Sequence, residues 1–277
     1  MNLLAQACCV DTSPLHSGGA VDDRMQSIYT AVFWSSVVLG VLVAGLIVYA
    51  AFRFRRRRNA EEPRQFHGNT KLEIGWTLLP LVVFLSLFGF TAANMPFIND
   101  APADTNSAAA NFNGAPNVTV IGQQFSWTFD YGASSSGKRI QSFATLYVPE
   151  DTDIALNIVS TDPPCNTKVQ PESGASDPEK GYAQAISKQG CGVNHSFYVP
   201  SLAGQMNAIP GQVNNLWINA RQGSYYGQCT ELCGVGHPQM TFTVVALPSN
   251  KFQSCVLGSP NGVITPSSPA CTNGGGS

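Results

Sequence analysis

Two long stretches of the chain carry no charged side chain. Ile28–Phe52 (IYTAVFWSSVVLGVLVAGLIVYAAF) has 25 residues and Ile74–Asn99 (IGWTLLPLVVFLSLFGFTAANMPFIN) has 26. About 20 apolar residues in a helix suffice to cross a bilayer core. A surface helix of a soluble protein shows a polar face, and neither stretch has one. Both are therefore predicted to be transmembrane helices. Pro80 lies inside the second, which a membrane helix tolerates when neighbouring groups satisfy the carbonyl it frees. Beyond residue 99 the pattern changes. DAPADTNSAAANFNGAPN is small, polar and Pro-containing, as linkers are. Short runs rich in β-branched and aromatic residues follow, punctuated by Gly, Pro and Asp: VTVIGQQFSWTFDY, SFATLYVP, DIALNIVS, HSFYVPSL, NNLWINA and MTFTVVAL. Such runs predict an all-β sandwich or barrel.

The expected organisation is an N-terminal outer segment (1–27), a transmembrane hairpin with a basic loop (28–99), a linker (100–117), a β domain (118–250) and a flexible C-terminal tail (251–277). Within the β domain, residues 163–192 are polar with little apolar pattern, and read as an inserted loop. Gly, Ser and Pro after Pro260 predict disorder.

Charge orients this arrangement. Only 12% of residues are charged, about half the share usual for soluble proteins. Arg53, Arg55, Arg56, Arg57, Arg58, Arg64 and Lys71 crowd between the two predicted spans. Basic loops stay on the cytoplasmic side, so both termini and the β domain are expected outside, on the periplasmic side of a bacterial inner membrane. A basic run between two spans has lipid, not nucleic acid, as its neighbour. MNLLAQACCV resembles the end of an export signal or a lipoprotein site at Cys8. Its apolar part is too short for either, and it is read as a tail.

Eight cysteines fall mostly in near pairs, a pattern of metal ligands, disulfides or both. Outside the cytoplasm, disulfides Cys165–Cys191 and Cys255–Cys271 are expected. The densest chemistry lies in GQCTELCGVGHPQM, residues 227–240, which holds Cys229, Cys233, His237 and Met240. Thiolate, imidazole and thioether are ligands that copper favours. After residue 99 the one other histidine is His195. Two bridging thiolates with one terminal imidazole each fit a pair of coppers, with Met240 and the Glu231 carbonyl as weak ligands. A tetrahedral zinc site of Cys229, Cys233, His195 and His237 is an alternative, as is a Cys229–Cys233 disulfide. Neither uses Met240.

YYGQCTELCGVGHPQM closely resembles the CuA-binding loop of subunit II of haem–copper cytochrome c oxidases. NHSFYVPSLAGQMNAIPG resembles that family's first-histidine segment, HGNTKLEIGWTLLP the start of its second membrane helix, and GQQFSWTFDYG its aromatic strand. The likeness runs in order from about Ile28 to Leu247. It implies a cupredoxin-like Greek-key barrel on a two-helix anchor. It also implies electron transfer from a c-type cytochrome, through a binuclear CuA centre, to haem in subunit I, where oxygen is reduced and protons are pumped. Subunits I and III are the implied membrane partners, and the haems belong to the partner subunit. By position, His195, Cys229, Glu231, Cys233, His237 and Met240 would hold the coppers. The Glu231 carboxylate would reach a Mg²⁺ shared with subunit I. Glu73 would stand at the mouth of a proton channel.

Some positions depart from the family pattern. Its aromatic strand usually begins Trp-Tyr-Trp, with electron entry at the first Trp; here Phe125, Ser126 and Trp127 stand there, so entry is expected at Phe125 and Trp127. Counting three residues back from His195 finds Gly192 where the family often has Asp, and Asn207 replaces another acid. After Phe97 there are eleven acids and seven bases, a net charge of −4. Weaker electrostatic steering of the donor follows, which favours a donor tethered to the membrane or held in a supercomplex. The 163–192 loop, just before His195, is expected to touch the donor or a neighbouring subunit. The full ligand set argues against the copper-free quinol oxidase relatives. The two-helix anchor and Glu73 argue against a copper-delivery protein. A nitrous oxide reductase would need a large soluble propeller, for which the chain has no sequence.

Overall fold

Ala20–Arg53 forms one helix, α1, of 34 residues, and Thr70–Asn99 a second, α2, of 30. At about 1.5 Å per residue each exceeds the ~30 Å of a bilayer core. The apolar windows of both are unburied by the rest of the chain, so their Leu, Val and Phe side chains are left for lipid or another membrane protein. A polar contact joins the helices: the Arg24 guanidinium donates to Asn94 Oδ1 at 3.2 Å, while Asn94 Nδ2 donates to the Phe90 carbonyl within α2. This computed structural model describes residues 10–11, 16–55, 68–100, 117–133, 137–162, 193–257 and 262–264. Most of the basic loop, the 163–192 insertion, both expected disulfides and Cys8 lie outside the described residues.

The β part forms a second unit. Its strands are β1 (Val10–Asp11), β2 (Asn117–Gln123), β3 (Ser126–Ala133), β4 (Arg139–Phe143), β5 (Thr145–Pro149), β6 (Asp153–Ser160), β7 (His195–Val199), β8 (Ala203–Ala208), β9 (Asn214–Asn219), β10 (Gly223–Cys229), β11 (Thr241–Leu247) and β12 (Val263–Ile264). They assemble as two six-stranded sheets. One runs β5-β11-β10-β7-β8 with β1 on β10; the other runs β12-β4-β3-β2-β6-β9. The arrangement is consistent with the expected cupredoxin-like fold, with a barrel that is only partly closed. The two sheets are separate hydrogen-bonded ladders facing each other through side chains, a curled and half-closed arrangement. An isolated bridge, Ser160–Pro210, ties β6 to the turn after β8.

Alternation explains the core. In β11, Phe242, Val244 and Ala246 are buried while Thr241, Thr243 and Val245 are partly exposed, the period-two pattern of a strand with one covered face. β3 and β6 are buried along most of their length, as strands covered on both sides are. The centre is aromatic. Phe242 stacks on Phe197 with centroids 4.7 Å apart, and Trp127 meets both edge-on at 5.6 and 5.8 Å. Trp127, Phe129 and Phe197 are fully buried; each contributes about 1.5–3 kcal/mol of burial.

Described segments near both termini, residues 16–23 and 249–257 with 262–264, are built into this unit. Gly18 N–H donates to the Ser201 carbonyl at 2.6 Å, and Arg221 pairs with Asp23 at 2.6 Å. A Cβ on Gly19 would lie 1.5 Å from the Asn219 carbonyl oxygen, so only glycine fits there. At the other end, Ser249–Phe252 and Gln253–Leu257 are helical and β12 pairs with β4, burying Phe252, Val256 and Ile264. Of the segment expected to be a flexible tail, the described residues 251–257 and 262–264 are thus helical or paired with β4.

Candidate metal centre

β10 ends at Cys229 and β11 begins at Thr241, and the loop between them carries the ligand types. Its two ends are closed by the Cys229 N–H, which donates to the Met240 carbonyl at 3.0 Å. β10 and β7 pair at Gln228–Tyr198 and Cys229–Phe197, so β7 delivers His195 beside the loop. The Cys229 and Cys233 sulfurs face each other at 4.0 Å, and both side chains are buried. His195 Nδ1 lies 3.9 Å from Cys229 Sγ, and His237 Nδ1 lies 3.6 Å from Cys233 Sγ. The Glu231 carbonyl is 3.3 Å from Cys229 Sγ, and the Met240 sulfur is 3.8 Å from Cys233 Sγ. His195, Cys229 and Cys233 offer donor atoms all within 4.8 Å of one another. His237 and Met240 join that compact group through Cys233.

Electrostatics supports a metal-binding role for the pair. Burial raises the Cys229 thiol, but hydrogen bonds from His195, the Ser196 and Glu231 backbone and His237 outweigh it and bring its pKa down to about 7. Burial and the neighbouring Cys229 thiolate push Cys233 up to about 12. Without metal the two thiols thus hold one proton between them over the range between those two values. His195 is depressed by burial, yet Asp162 and Cys229 together keep its pKa above the ordinary histidine value. Two soft sulfurs, two imidazoles and a thioether in one buried group suit copper.

The loop is held from below. Phe125 packs under it: a Cβ on Gly236 would lie 2.4 Å from the Phe125 ring, and one on Gly234, at φ +134°, would lie 3.0 Å from it. Gln124 Nε2 donates to the Cys233 carbonyl at 2.6 Å. Of the two expected electron-entry residues, Phe125 is partly exposed, whereas Trp127 is fully buried, 6.0 Å from the His195 ring. Trp127 therefore presents no surface to a donor. Leu232 and Val235 project from the loop, 80% and 96% exposed.

Glu73 lies in the helical unit, away from this chemistry in sequence. It accepts the Asn69 N–H at 3.2 Å while Asn69 Oδ1 accepts from Leu72 N–H at 3.3 Å. The pair caps α2, with Asn69 satisfying an amide the helix leaves open.

One residue escaped the sequence analysis. Asp162 Oδ2 accepts from His195 Nε2 at 2.8 Å, both side chains being buried. Counting back from His195 along the chain reaches Gly192, because residues 163–192 intervene. With that insertion removed, Asp162 precedes Val193, Asn194 and His195. The polar, unpatterned character of 163–192 was the available signal.

Comparison with known proteins follows the same division of the chain. The family model for the cytochrome c oxidase subunit II periplasmic domain matches residues 117–247, and the model for its transmembrane domain matches residues 16–92. Subunit 2 of cytochrome c oxidase from Alkalihalophilus pseudofirmus is 27% identical, over 85% of this chain and 59% of its own length. The mitochondrial subunit 2 of Glycine max is 28% identical over 83% of this chain and 54% of its own, and that of Arabidopsis thaliana 28% over 81% and 80%. The chain thus spans little more than half the length of the first two of these relatives. Matched by both models in order along the chain, it is a membrane-anchored member of the cytochrome c oxidase subunit II family.

Proposed function

We propose that this chain is the electron-receiving subunit of a respiratory cytochrome c oxidase, taking electrons from a c-type cytochrome at a binuclear copper centre and passing them to haem in subunit I. The observation that carries this reading is the facing pair of buried thiols, 4.0 Å apart, each with an imidazole nitrogen beside it. Cys229, Cys233, His195 and His237 would hold the metals, with Met240 and the Glu231 carbonyl as weaker donors. Copper bound there supplies one-electron chemistry. The protein's part is to bury the sulfurs from water, hold both rings by packing and leave no open position for a substrate. The β domain is a cupredoxin-like fold on the periplasmic side of a bacterial inner membrane, set there by the basic loop between the helices.

Phe125 is the electron-entry surface, since its ring touches the glycines on either side of Val235. The donor is membrane-tethered or held in a supercomplex, given the modest charge of the outer part. The Glu231 carboxylate would hold a Mg²⁺ shared with subunit I, and Glu73 would admit protons. Subunits I and III pack on α1 and α2, whose apolar faces are unburied. Zinc fits four of the same residues but leaves Met240, beside Cys233, without a role. Metal analysis and EPR of the purified oxidase test the reading. Two coppers per chain and a seven-line hyperfine pattern are expected; zinc, a four-line pattern or a Cys229–Cys233 disulfide in the active complex overturns it.

A further inference from the structure

We propose that Asp162 is a positioning residue for the metal centre: it fixes the His195 ring with Nδ1 towards the thiols and makes that imidazole the stronger donor of the two. The inference rests on the copper reading above. His195 Nε2–H donates to Asp162 Oδ2 at 2.8 Å, which leaves the Nδ1 lone pair facing Cys229 Sγ. His195 is 0% exposed and Asp162 5%, so water does not compete for the bond. The ring has little freedom to turn. Trp127 meets it edge-on, and a Cβ on Gly122 would lie 3.1–3.2 Å from it.

The carboxylate is itself anchored. Thr161 N–H donates to the Gly122 carbonyl at 3.0 Å, and the Ser160 hydroxyl donates to the Val193 carbonyl. The first bond ties residue 161 to β2, and the second holds Ser160 against Val193 although thirty residues, 163–192, lie between Asp162 and Val193 in sequence. The other terminal imidazole differs. His237 is only half-buried, in a short 3₁₀ turn, and among the described residues no carboxylate is hydrogen-bonded to it.

A carboxylate behind a ligating histidine sets its tautomer and raises its basicity. The His195 end therefore favours the oxidised charge state more than the His237 end. The reduction potential of the centre is lowered, and the shared unpaired electron is distributed unequally between the two metals. An acid at this place acts inward on the metal and leaves no negative charge on the surface for a cationic donor.

The test is Asp162→Asn and Asp162→Ala in the purified oxidase, with redox potentiometry, EPR and chelator competition for copper. Asn keeps the shape and an acceptor without the charge; Ala also frees the ring. Both are expected to raise the potential, about 59 mV for each tenfold loss of preference for the oxidised form, and to redistribute the copper hyperfine couplings. Ala is expected to weaken copper binding about 10–100-fold. If Ala fails to assemble, Asn alone decides. Parental potential and hyperfine pattern in Asp162→Asn would overturn the proposal. If the parent holds zinc, the copper reading falls separately. The positioning role is then judged by zinc affinity, where a tenfold loss in Asn upholds it and an unchanged affinity overturns it.

Discussion

Replacing Gly227 with alanine is a sharp test of how the core carries the metal loop. Gly227 lies in β10 directly across from Phe242 of β11. A Cβ there would lie 2.2, 2.3 and 2.7 Å from Phe242 Cε2, Cζ and Cδ2. Carbon atoms in contact prefer about 3.5–4.0 Å, so the ring or the strand must move by more than ~1 Å. The ring has nowhere easy to go. It is 3% exposed and packed against Phe197 at 4.7 Å, Trp127 at 5.6 Å and Phe129 at 5.7 Å.

Two effects compete. Alanine in a strand removes the entropic cost of glycine, which favours the variant by ~0.5–1 kcal/mol. Overpacking a filled core costs about 1–3 kcal/mol, and each aromatic pair disturbed adds about 0.5–1.5 kcal/mol. The clash wins, for a net loss of about 2–4 kcal/mol. At roughly 3–4 °C per kcal/mol for a domain of this size, Tm falls by about 6–16 °C. Cys229 is two residues further along the same strand, so the copper spectrum should broaden as well. Calorimetry or circular-dichroism melting of the purified chain reads the first effect. Gly45→Ala is the control, since no atom lies within 4 Å of a Cβ there. A Tm for Gly227→Ala equal to or above the parent's would refute the packing argument.

Ultraviolet absorbance of the metal-free protein should reveal one thiolate forming around pH 7 and the second not until about pH 12. The depressed Cys229 pKa stabilises the apo fold as pH rises from about 7 to 9. The raised Cys233 pKa removes stability above about pH 9, where only the unfolded thiol ionises. Cys233→Ser should abolish that alkaline loss of Tm; an equal loss in the variant counts against it. Met240→Leu, a nearly volume-conserving swap, should cost less than ~1.5 kcal/mol and leave copper bound while changing its hyperfine pattern; an identical spectrum would remove Met240 from the ligands. Glu73→Gln keeps an acceptor for the Asn69 amide, so α2 should form and assemble normally while oxidase turnover falls. Unchanged turnover would leave Glu73 with its capping role alone.

Much of this molecule could be read from its sequence because the governing physics is local. An uncharged run of 25 residues meets a membrane whatever follows it, and the hydrophobic alternation of β11 names its buried face residue by residue. The candidate metal loop stands out for a similar reason: four candidate ligand side chains of three types lie within twelve residues, 229–240. What stayed hidden depends on where distant segments meet. Strand composition does not say whether two sheets close on each other, and here they remain separate ladders. A Gly- and Ser-rich terminus reads as mobile until Phe252, Val256 and Ile264 find space in the core.

Asp162 combines both cases. Its chemistry is visible in the sequence, but its address is set by the Ser160–Val193 hydrogen bond, which closes the base of the insertion, and by the Thr161–Gly122 bond, which anchors one side of that base to β2. Selection on such a site acts on the spacing across the closed base, not on spacing along the chain. An insertion of any length is tolerated there provided its two ends return to the same hydrogen bonds, because loop-closure entropy grows only slowly with length. By the same reasoning a change at Asp162 reaches His195 directly, through the 2.8 Å hydrogen bond between them.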